Sequence, residues 1–553
     1  MKEIDGQILK NMLISGANNL YNHYPEIDAL NVFPVPDGDT GMNMNLTMTS
    51  GAKEIQNKVD TSIYEIARSF ARGLLMGARG NSGVITSQIF RGFSLGLDGR
   101  VTVDAKGFSD AFQKGVEVAY KAVMRPVEGT ILTVIRESSE TLHNNIQNIR
   151  SIEDAMECLI VEAKASLQRT PDLLPIVKEV GVVDSGGAGL VKIFEGMLAA
   201  LTDSFIERNQ ATATEEASPL IAAGNKLEDE EYGYCTEFIM RLGPDSVKKP
   251  FNEKRFTSIL SSHGNSLVVV HDDDIVKVHV HTMAPGAALT YAQQFGEFIK
   301  LKIENMTEQH HALETGATVE EHKDLVEEEP KKEKQKFALI GVSSGDGIDE
   351  LFSEAGISYI VKGGQTMNPS SEDFLEMIKK ANAEVIYIFP NNSNIVMAAS
   401  QAAELVEDTT VYVIPSKTIP QGISAAIMFN PDASPEDNFR EMKAALKNVK
   451  SGEVTFSIRD TEINGVSMKK DDFIGILEKD IVIACKDKIE ATKGLIEKMI
   501  DDCSSIITIL YGADVNKEEA NEIKKYVEST FPDLDIDLRE GKQPVYSFLL
   551  GVE

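Results

Sequence analysis

The sequence predicts a multidomain chain. An all-α N-terminal domain (1–207) precedes a small α/β middle domain (228–320) and an α/β C-terminal domain (337–553) of two subdomains. Three observations predict this. Apolar residues at helical spacing fill the first 200 positions. Two charge-rich stretches, Arg208–Glu231 and Glu320–Lys336, have the composition of linkers. Beyond the second, short apolar strands alternate with helical stretches. A length of 553 residues suits several domains, and 42% hydrophobic with 25% charged residues excludes a disordered chain. No apolar run reaches the roughly 18 residues of a membrane helix, and the start lacks a signal-peptide core, so a cytoplasmic protein is expected. The net charge of −31 repels nucleic acid and anionic membrane. Four scattered cysteines make no disulfide framework.

In chain order, Thr61–Gly77, Phe108–Met124 and Ile152–Leu167 carry apolar residues at helical spacing, with loops rich in Gly, Asp, Asn and Ser between them. In the middle region Tyr232–Leu242, Leu267–His271 and Ile275–Thr282 read as strands, the last two joined at Asp272–Asp274, and a helix follows Pro285. Phe337–Val342, Ile357–Val361, Val385–Phe389 and Thr410–Ile414 read as strands of a mainly parallel sheet, with Ser371–Ala381 and Ile395–Val406 among its helices. A second α/β subdomain is expected from about Ser434, with Ile506–Leu510 as a central strand.

The chemistry is concentrated in the loops. Asn31 to Met44 holds Asp37 and Asp39 two residues apart on a Gly-rich turn, which suits Mg²⁺ sharing its shell with phosphate oxygens. An EF-hand reading fails, because Met48 stands where a bidentate acid is needed. The plainer alternative is an Asp/Gly turn capping a helix. Gly77-Ala-Arg-Gly-Asn-Ser-Gly83 opens a helix and offers free N–H groups to a phosphate, with Ser82 as a further donor. It is not a Walker A loop, since no Lys-Ser/Thr pair follows the glycines. Pro126–Thr130 and Asp184–Gly189 are two more such loops, and the four together describe a nucleotide site at one end of a helical bundle.

In the middle region His279 and His281 lie two apart in a strand and share a face, along with Lys277. Cys235 lies in the preceding strand with Glu237 on its face. Cysteine plus two histidines fits a zinc site with an open position. It equally fits a metal-free set donating hydrogen bonds to phosphoryl or carboxylate oxygen. His310 and His311 suit a helix C-terminus. Ser343–Gly347 and Gly363–Thr366 lie at the loop ends of predicted strands, the ligand side of such sheets, and are given no ligand.

The loop set resembles the ATP-binding L-subunit domain of dihydroxyacetone kinases. Pro36–Gly41 with Gly77–Gly83 is more similar to a three-domain branch, the fatty acid kinase catalytic subunits. The resemblance runs through Val278–Thr282 and Lys302–Met306, and the C-terminal half is similar to DegV-like fatty-acid-binding proteins. It implies an antiparallel eight-helix barrel for the first domain, ATP and two Mg²⁺ ions as cofactors, and a DegV-like C-terminal domain used for docking. The metal positions it implies are Asp37, Asp39 and Asn31. The cofactor positions are Thr40, Asn43, Gly80, Asn81, Ser82, Gly83, Gly129, Thr130, Asp184, Gly186 and Gly187, and the catalytic ones Cys235, His279 and His281. The kinases it resembles carry a third Asp shortly before the pair; Asn31 supplies an oxygen there without the charge.

The expected activity is transfer of the γ-phosphoryl group of ATP to a fatty acid on a separate DegV-like carrier protein, giving acyl phosphate for phospholipid synthesis. Zinc at the Cys/His set is the less favoured reading, and a homodimer is compatible with the sequence. Two other classes stay open: a kinase for a small hydroxylated metabolite, and a non-catalytic nucleotide-sensing scaffold. Residues 337–553 carry 37 acidic and 21 basic residues, a net of −16, which suits a basic patch on the carrier.

Overall fold

Apolar stripes bracketed by capping side chains turn the first 209 residues into a set of packed helices. They are α1 (Gly6–Asp28), α2 (Thr40–Ile55), α3 (Ile63–Met76), α4 (Gly80–Gly96), α5 (Ala105–Ala122), α6 (Ile131–Asn144), α7 (Ile152–Leu173), α8 (Pro175–Val180) and α9 (Ser185–Leu201). A two-residue ladder ties β1 (Glu3–Ile4) to β2 (Val103–Asp104). Asp5, Ser62, Asp104, Thr130, Ser151 and Asp184 each accept a hydrogen bond from a first-turn amide, which fixes where six of these helices begin. Successive helices pack on one another and α9 returns to pack on α1. Inside, Phe70, Phe90, Phe93, Phe108, Phe112 and Phe194 form a chain of mostly edge-on aromatic contacts. Each such side chain contributes roughly 1.5–3 kcal/mol by leaving water.

The computed structural model describes residues 1–31, 38–123, 125–209, 234–243, 251, 253–261, 265–272, 275–282, 284–305, 334–364 and 367–553. For Cys235, Glu237, Lys277, His279 and His281 it describes the backbone. Asp37, His310, His311, Gln365, Thr366 and most of both expected linkers lie outside the described residues. Two compact units result: Met1–Asn209 with Glu333–Glu553, and Gln210–Lys332.

The second unit holds a four-stranded antiparallel sheet ordered β4-β5-β3-β6, with β3 Tyr234–Leu242, β4 Asn265–Asp272, β5 Ile275–Thr282 and β6 Gly296–Asn305. Helices α10 (Glu253–Ser261) and α11 (Pro285–Ala292) share its core, built on Phe238, Met240, Phe256, Val276, Val278 and Val280. The end of β4 at Asp272, the start of β5 at Ile275 and the helix at Pro285 are where the sequence puts them.

The C-terminal half holds two sheets. The first is all parallel, ordered β10-β9-β7-β8, with β7 Gln335–Ser343, β8 Tyr359–Lys362, β9 Ala383–Phe389 and β10 Thr410–Val413. Helices Asp346–Glu354, Ser371–Ala381, Val396–Glu404 and Ile419–Ile427 connect or follow its strands. The second sheet has six strands, ordered β15-β14-β11-β18-β16-β17, and a hairpin of β12 (Thr461–Ile463) and β13 (Val466–Met468) stands apart from it. Here β11 is Lys450–Phe456, β14 Phe473–Leu477, β15 Asp480–Cys485, β16 Ile506–Tyr511, β17 Asp535–Glu540 and β18 Phe548–Val552. The expected central strand, Ile506–Leu510, is therefore next to the edge. The wholly buried last strand, Phe548–Val552, pairs with both β11 and β16 and takes the middle. Both are short apolar runs, and composition does not order them.

Two further corrections concern the described edges of the two expected linkers. Arg208 does not open a solvated stretch: its guanidinium donates to Asn18 Oδ1 at 3.0 Å and Thr49 Oγ1 at 3.1 Å and lies over the Tyr21 ring. Likewise β7 begins at Gln335, inside the expected second linker. The helical region and the C-terminal half share an apolar cluster, in which Ala78 and Val84 pack with Phe374, Ile378, Ile395 and Ala398.

Candidate functional site

The starts of α2, α4, α6 and α9 gather at one end of the helical region. A Cβ on Gly83 would come within 2.3 Å of Thr47 Oγ1, one on Gly189 within 2.7 Å of Met44 Sδ, and one on Gly186 within 3.2 Å of Ile131 Cβ. Thr40, Asn43, Gly80, Asn81, Ser82, Gly83, Gly129, Thr130, Asp184, Gly186 and Gly187 all lie on these four starts. The helix ends thus bring the sequence's scattered loops together.

Asp39 is the N-cap residue of α2, yet its side chain makes no cap bond. Asp28, at the end of α1, does that work: its Oδ1 accepts from Gly41 N at 2.6 Å and Met42 N at 3.2 Å. Burial pushes the Asp28 carboxyl up to about 6 against the pull of these two bonds. The Asp39 carboxylate is thereby not needed as a cap. Thr40 Oγ1 donates to Asn31 Oδ1 at 3.1 Å, while Asn31 Nδ2 is buried without a hydrogen-bond partner. That Nδ2 is an N–H donor and ligates no cation; the atoms here that suit a hard cation such as Mg²⁺ are oxygens, Asn31 Oδ1 and the Asp39 carboxylate. Asp37, the other expected ligand, lies outside the described residues.

The glycine-rich loop has two kinds of glycine. Gly80 has φ +58°, a backbone conformation that favours glycine. Gly77 and Gly83 are instead needed for close packing on α2, against Ser50 and Thr47. The N-cap residue of α4, Arg79, makes no capping side-chain bond. The first-turn amides of α4, which no helix can satisfy internally, therefore lack the side-chain cap that α6 and α9 have. Ser82 Oγ donates to Thr40 O at 3.4 Å, and the buried Asn43 lies directly under Gly80.

The other two starts are closed by their own side chains. Thr130 caps α6, and Gly129 N donates to Thr133 Oγ1 at 2.8 Å. Glu128 gathers Tyr120, Thr133 and Arg136; burial pushes its carboxyl up, but these hydrogen bonds outweigh it and hold it below the usual range. Asp184 caps α9 by accepting from Gly187 N at 2.6 Å. Burial pushes its carboxyl up to about 6, against hydrogen bonds from the Gly187 and Ile131 amides.

That shift has a pH consequence. The folded state holds the Asp184 proton more tightly than the unfolded chain does. Its contribution to stability is complete below about pH 4 and is lost as pH rises through about 6. Asp184→Asn keeps an acceptor oxygen and cannot ionise. It is expected to melt higher than the parent at pH 8, by at most about 3 kcal/mol of stability, and to match it at pH 4. Thermal melts at the two pH values check this; an equal difference at both would show that Asp184 carries no such penalty.

On the other compact unit, the register sets Cys235 opposite His281 on β5 and opposite Glu304 on β6, and Glu237 opposite His279. Among the described side chains of these two strands, Thr236, Phe238, Met240, Val276, Val278, Val280 and Thr282 are buried. Among the described residues no group of three or more His, Cys, Asp or Glu is placed to hold a metal. Cys158, Cys485 and Cys503 are free. In the C-terminal half, a cavity of about 410 Å³ lies between Ser343–Asp346, Lys362–Gly364 and Lys542, where strand ends open into loops.

Three residues at the helical end escape a reading of the sequence. Asp28 carries no motif. Asn368 and Arg459 come from the C-terminal half: Asn368 Nδ2 donates to Asp39 Oδ2 at 2.5 Å, and Arg459 donates to Asn31 O at 2.6 Å and Ala29 O at 3.2 Å. Arg79, quoted only as part of the loop, donates to Asn368 O at 2.6 Å. Separations of 329 and 428 residues leave no local signal.

Comparison with known proteins matches a DAK2 domain to residues 34–199. The middle domain of FakA-like fatty acid kinase proteins matches residues 231–313, and their C-terminal domain residues 338–553. The chain is 46% identical to an uncharacterised protein of Staphylococcus haemolyticus and 45% identical to protein YloV of Bacillus subtilis, each over 100% of both chains. Among solved structures, the dihydroxyacetone kinase from C. freundii in complex with AMP-PNP and Mg²⁺ is 17% identical. That match covers 35% of this chain and 34% of that one at a TM-score of 0.29. The Streptococcus pneumoniae fatty acid kinase (Fak) B3 protein loaded with linoleic acid is 14% identical, over 40% of this chain and 99% of that one, at a TM-score of 0.28. Among the described residues no helix is long and apolar enough to cross a membrane.

Proposed function

The chain belongs to the FakA-like fatty acid kinase family, and we propose that it is the ATP-binding component of a two-component fatty acid kinase. The observation that carries this reading is the uncapped start of α4 beside an Asp39 carboxylate whose capping role Asp28 has taken over. The first is a phosphate cradle and the second a cation ligand.

In this proposal the γ-phosphoryl group leaves the bridging oxygen of ATP and bonds to a carboxylate oxygen of the fatty acid, giving acyl phosphate and ADP. Asp39, Asp37 and Asn31 would hold Mg²⁺, which when bound neutralises phosphate charge. The first-turn amides of α4 orient the phosphates. A fatty acid carboxylate, with a pKa near the 4.3 of Glu, is already ionised and needs no general base. That separates this reading from a kinase of hydroxylated metabolites, which must remove a hydroxyl proton. His279 or His281 would donate a hydrogen bond to the transferring or accepting oxygens, with Cys235 beside them.

Docking of a fatty-acid carrier falls to the acidic C-terminal half, whose −16 net charge would steer a basic patch. Cutting the chain near residue 320 is a poor test of this, because it also removes Asn368 and Arg459 from the helical end. The full chain should instead be mixed with ATP, a long-chain fatty acid and candidate carriers, and acyl phosphate assayed. Formation only with a carrier, and a carrier association rate falling steeply between low and physiological salt, is the expected result. Turnover of a hydroxylated substrate without a carrier would favour the metabolite kinase. Nucleotide binding without turnover on any acid would favour the scaffold.

A further inference from the structure

Asn368 sits between β8 and the helix Ser371–Ala381, and only 1% of its surface is exposed. Its backbone oxygen takes the Arg79 guanidinium, and its Nδ2 holds Asp39. A Cβ on Gly80 would lie 3.3 Å from that nitrogen, so the carboxamide is wedged between the acidic turn and the start of α4. Its Oδ1 is buried and has no hydrogen-bond partner. An orphaned buried acceptor costs about 1–3 kcal/mol, and native proteins rarely leave one unless a ligand or water takes it up. Arg79 is fixed in turn, in a bridge to Ser370 and 3.6 Å from Asp373, whose carboxylate closes a capping box with Ser370. The described part of the loop is therefore held in place, and the unpartnered Asn368 Oδ1 lies at the candidate nucleotide site. Arg459 completes the pattern: the segment from Asn31 to Asp39 is gripped at both described ends by residues of the C-terminal half.

We propose that Asn368 is a positioning residue of the magnesium–nucleotide site, contributed to the helical region by the C-terminal half. Its amide nitrogen aims the Asp39 carboxylate, and its free oxygen accepts from the shell of a divalent cation held there. The site is incomplete without the C-terminal half. This rests on the magnesium–nucleotide reading above and adds a residue and a domain to it.

The test uses the full chain, a fluorescent ADP analogue and a Mg²⁺ titration, with Mn²⁺ binding read by electron paramagnetic resonance in the absence of turnover. Asn368→Ala is expected to raise the Mg²⁺ concentration for half-maximal nucleotide binding about tenfold, the usual cost of losing a group that orients a metal ligand. Binding of the nucleotide in chelator should not change. Asn368→Asp separates a role toward the cation from a purely structural one. It sets a second carboxylate beside Asp39, which is unfavourable without a cation and favourable with one. Its Mg²⁺ and Mn²⁺ affinity should match or exceed that of the parent, while its cation-free form melts lower. Gln401→Ala breaks a contact between the same two regions, to Leu75 O at 2.7 Å, and should lower melting without moving the Mg²⁺ midpoint. An unchanged midpoint in Asn368→Ala, or Asn368→Asp binding the cations worse than Asn368→Ala, overturns the proposal. If the parent protein itself shows no Mg²⁺-dependent nucleotide binding, the reading of the site falls and this inference with it.

Discussion

Asp39→Ala is expected to reduce acyl phosphate formation on the order of 10³-fold or more, with the fold intact and a stability loss of at most about 1–3 kcal/mol from the buried Asn368 amide it leaves unpaired. The size follows from phosphoryl transfer itself, where positioning and charge neutralisation supply most of the rate and no covalent chemistry replaces them. The intact fold follows from the division of labour at the start of α2. Asp28, not Asp39, holds the Gly41 and Met42 amides, so deleting the Asp39 carboxylate leaves the helix capped. Asp28→Ala acts on the helix itself: it uncovers two amides beneath the turn and lowers stability by about 0.5–2 kcal/mol. The pair is best read by activity and thermal melting on the same samples. Full Mg²⁺-dependent activity in Asp39→Ala would remove this turn from the active site.

What the sequence made legible was local. Ser371–Ala381 is found at its expected bounds because Ser370 and Asp373 spell a capping box before an apolar stripe. The four loops were visible because glycine and aspartate cluster there, and the helix ends do bring them together. Their chemistry was less legible. Gly77 and Gly83 look like a phosphate loop, yet each has a sufficient steric reason in α2. The C-terminal half reads as a separate domain because a charge-rich stretch precedes it. Its contacts with Asn31, Asp39 and Arg79 depend on tertiary packing that no window of sequence reports. The position of the expected Ile506–Leu510 strand within its sheet has the same origin: strand order is set by pairing partners, and the run Phe548–Val552 competes for the middle on equal terms.

The Cys/His set carries the second large effect. His281→Ala and Cys235→Ala should each lose most phosphoryl transfer, about 10²–10⁴-fold if the group acts on the transferring or accepting oxygens. Both should bind ATP as the parent does. The reasoning starts from the sheet. Cys235 and His281 are register partners on adjacent strands of a unit with its own core, centred on Phe238, Val278 and Val280. Replacing either at an alternate position leaves those core residues in place, so the unit should still fold. The nucleotide features, by contrast, lie on the starts of α2 and α4 in the other unit. A change in turnover with unchanged nucleotide affinity is what that separation requires. Metal analysis of the purified protein decides between the two chemistries open to the set. Stoichiometric zinc, lost in both variants, would make Cys235 and His281 ligands; metal-free protein with the same kinetic losses would make them hydrogen-bond donors. If either variant weakened ATP affinity as much as it slowed turnover, the assignment of binding to one unit and assistance in transfer to the other would be wrong.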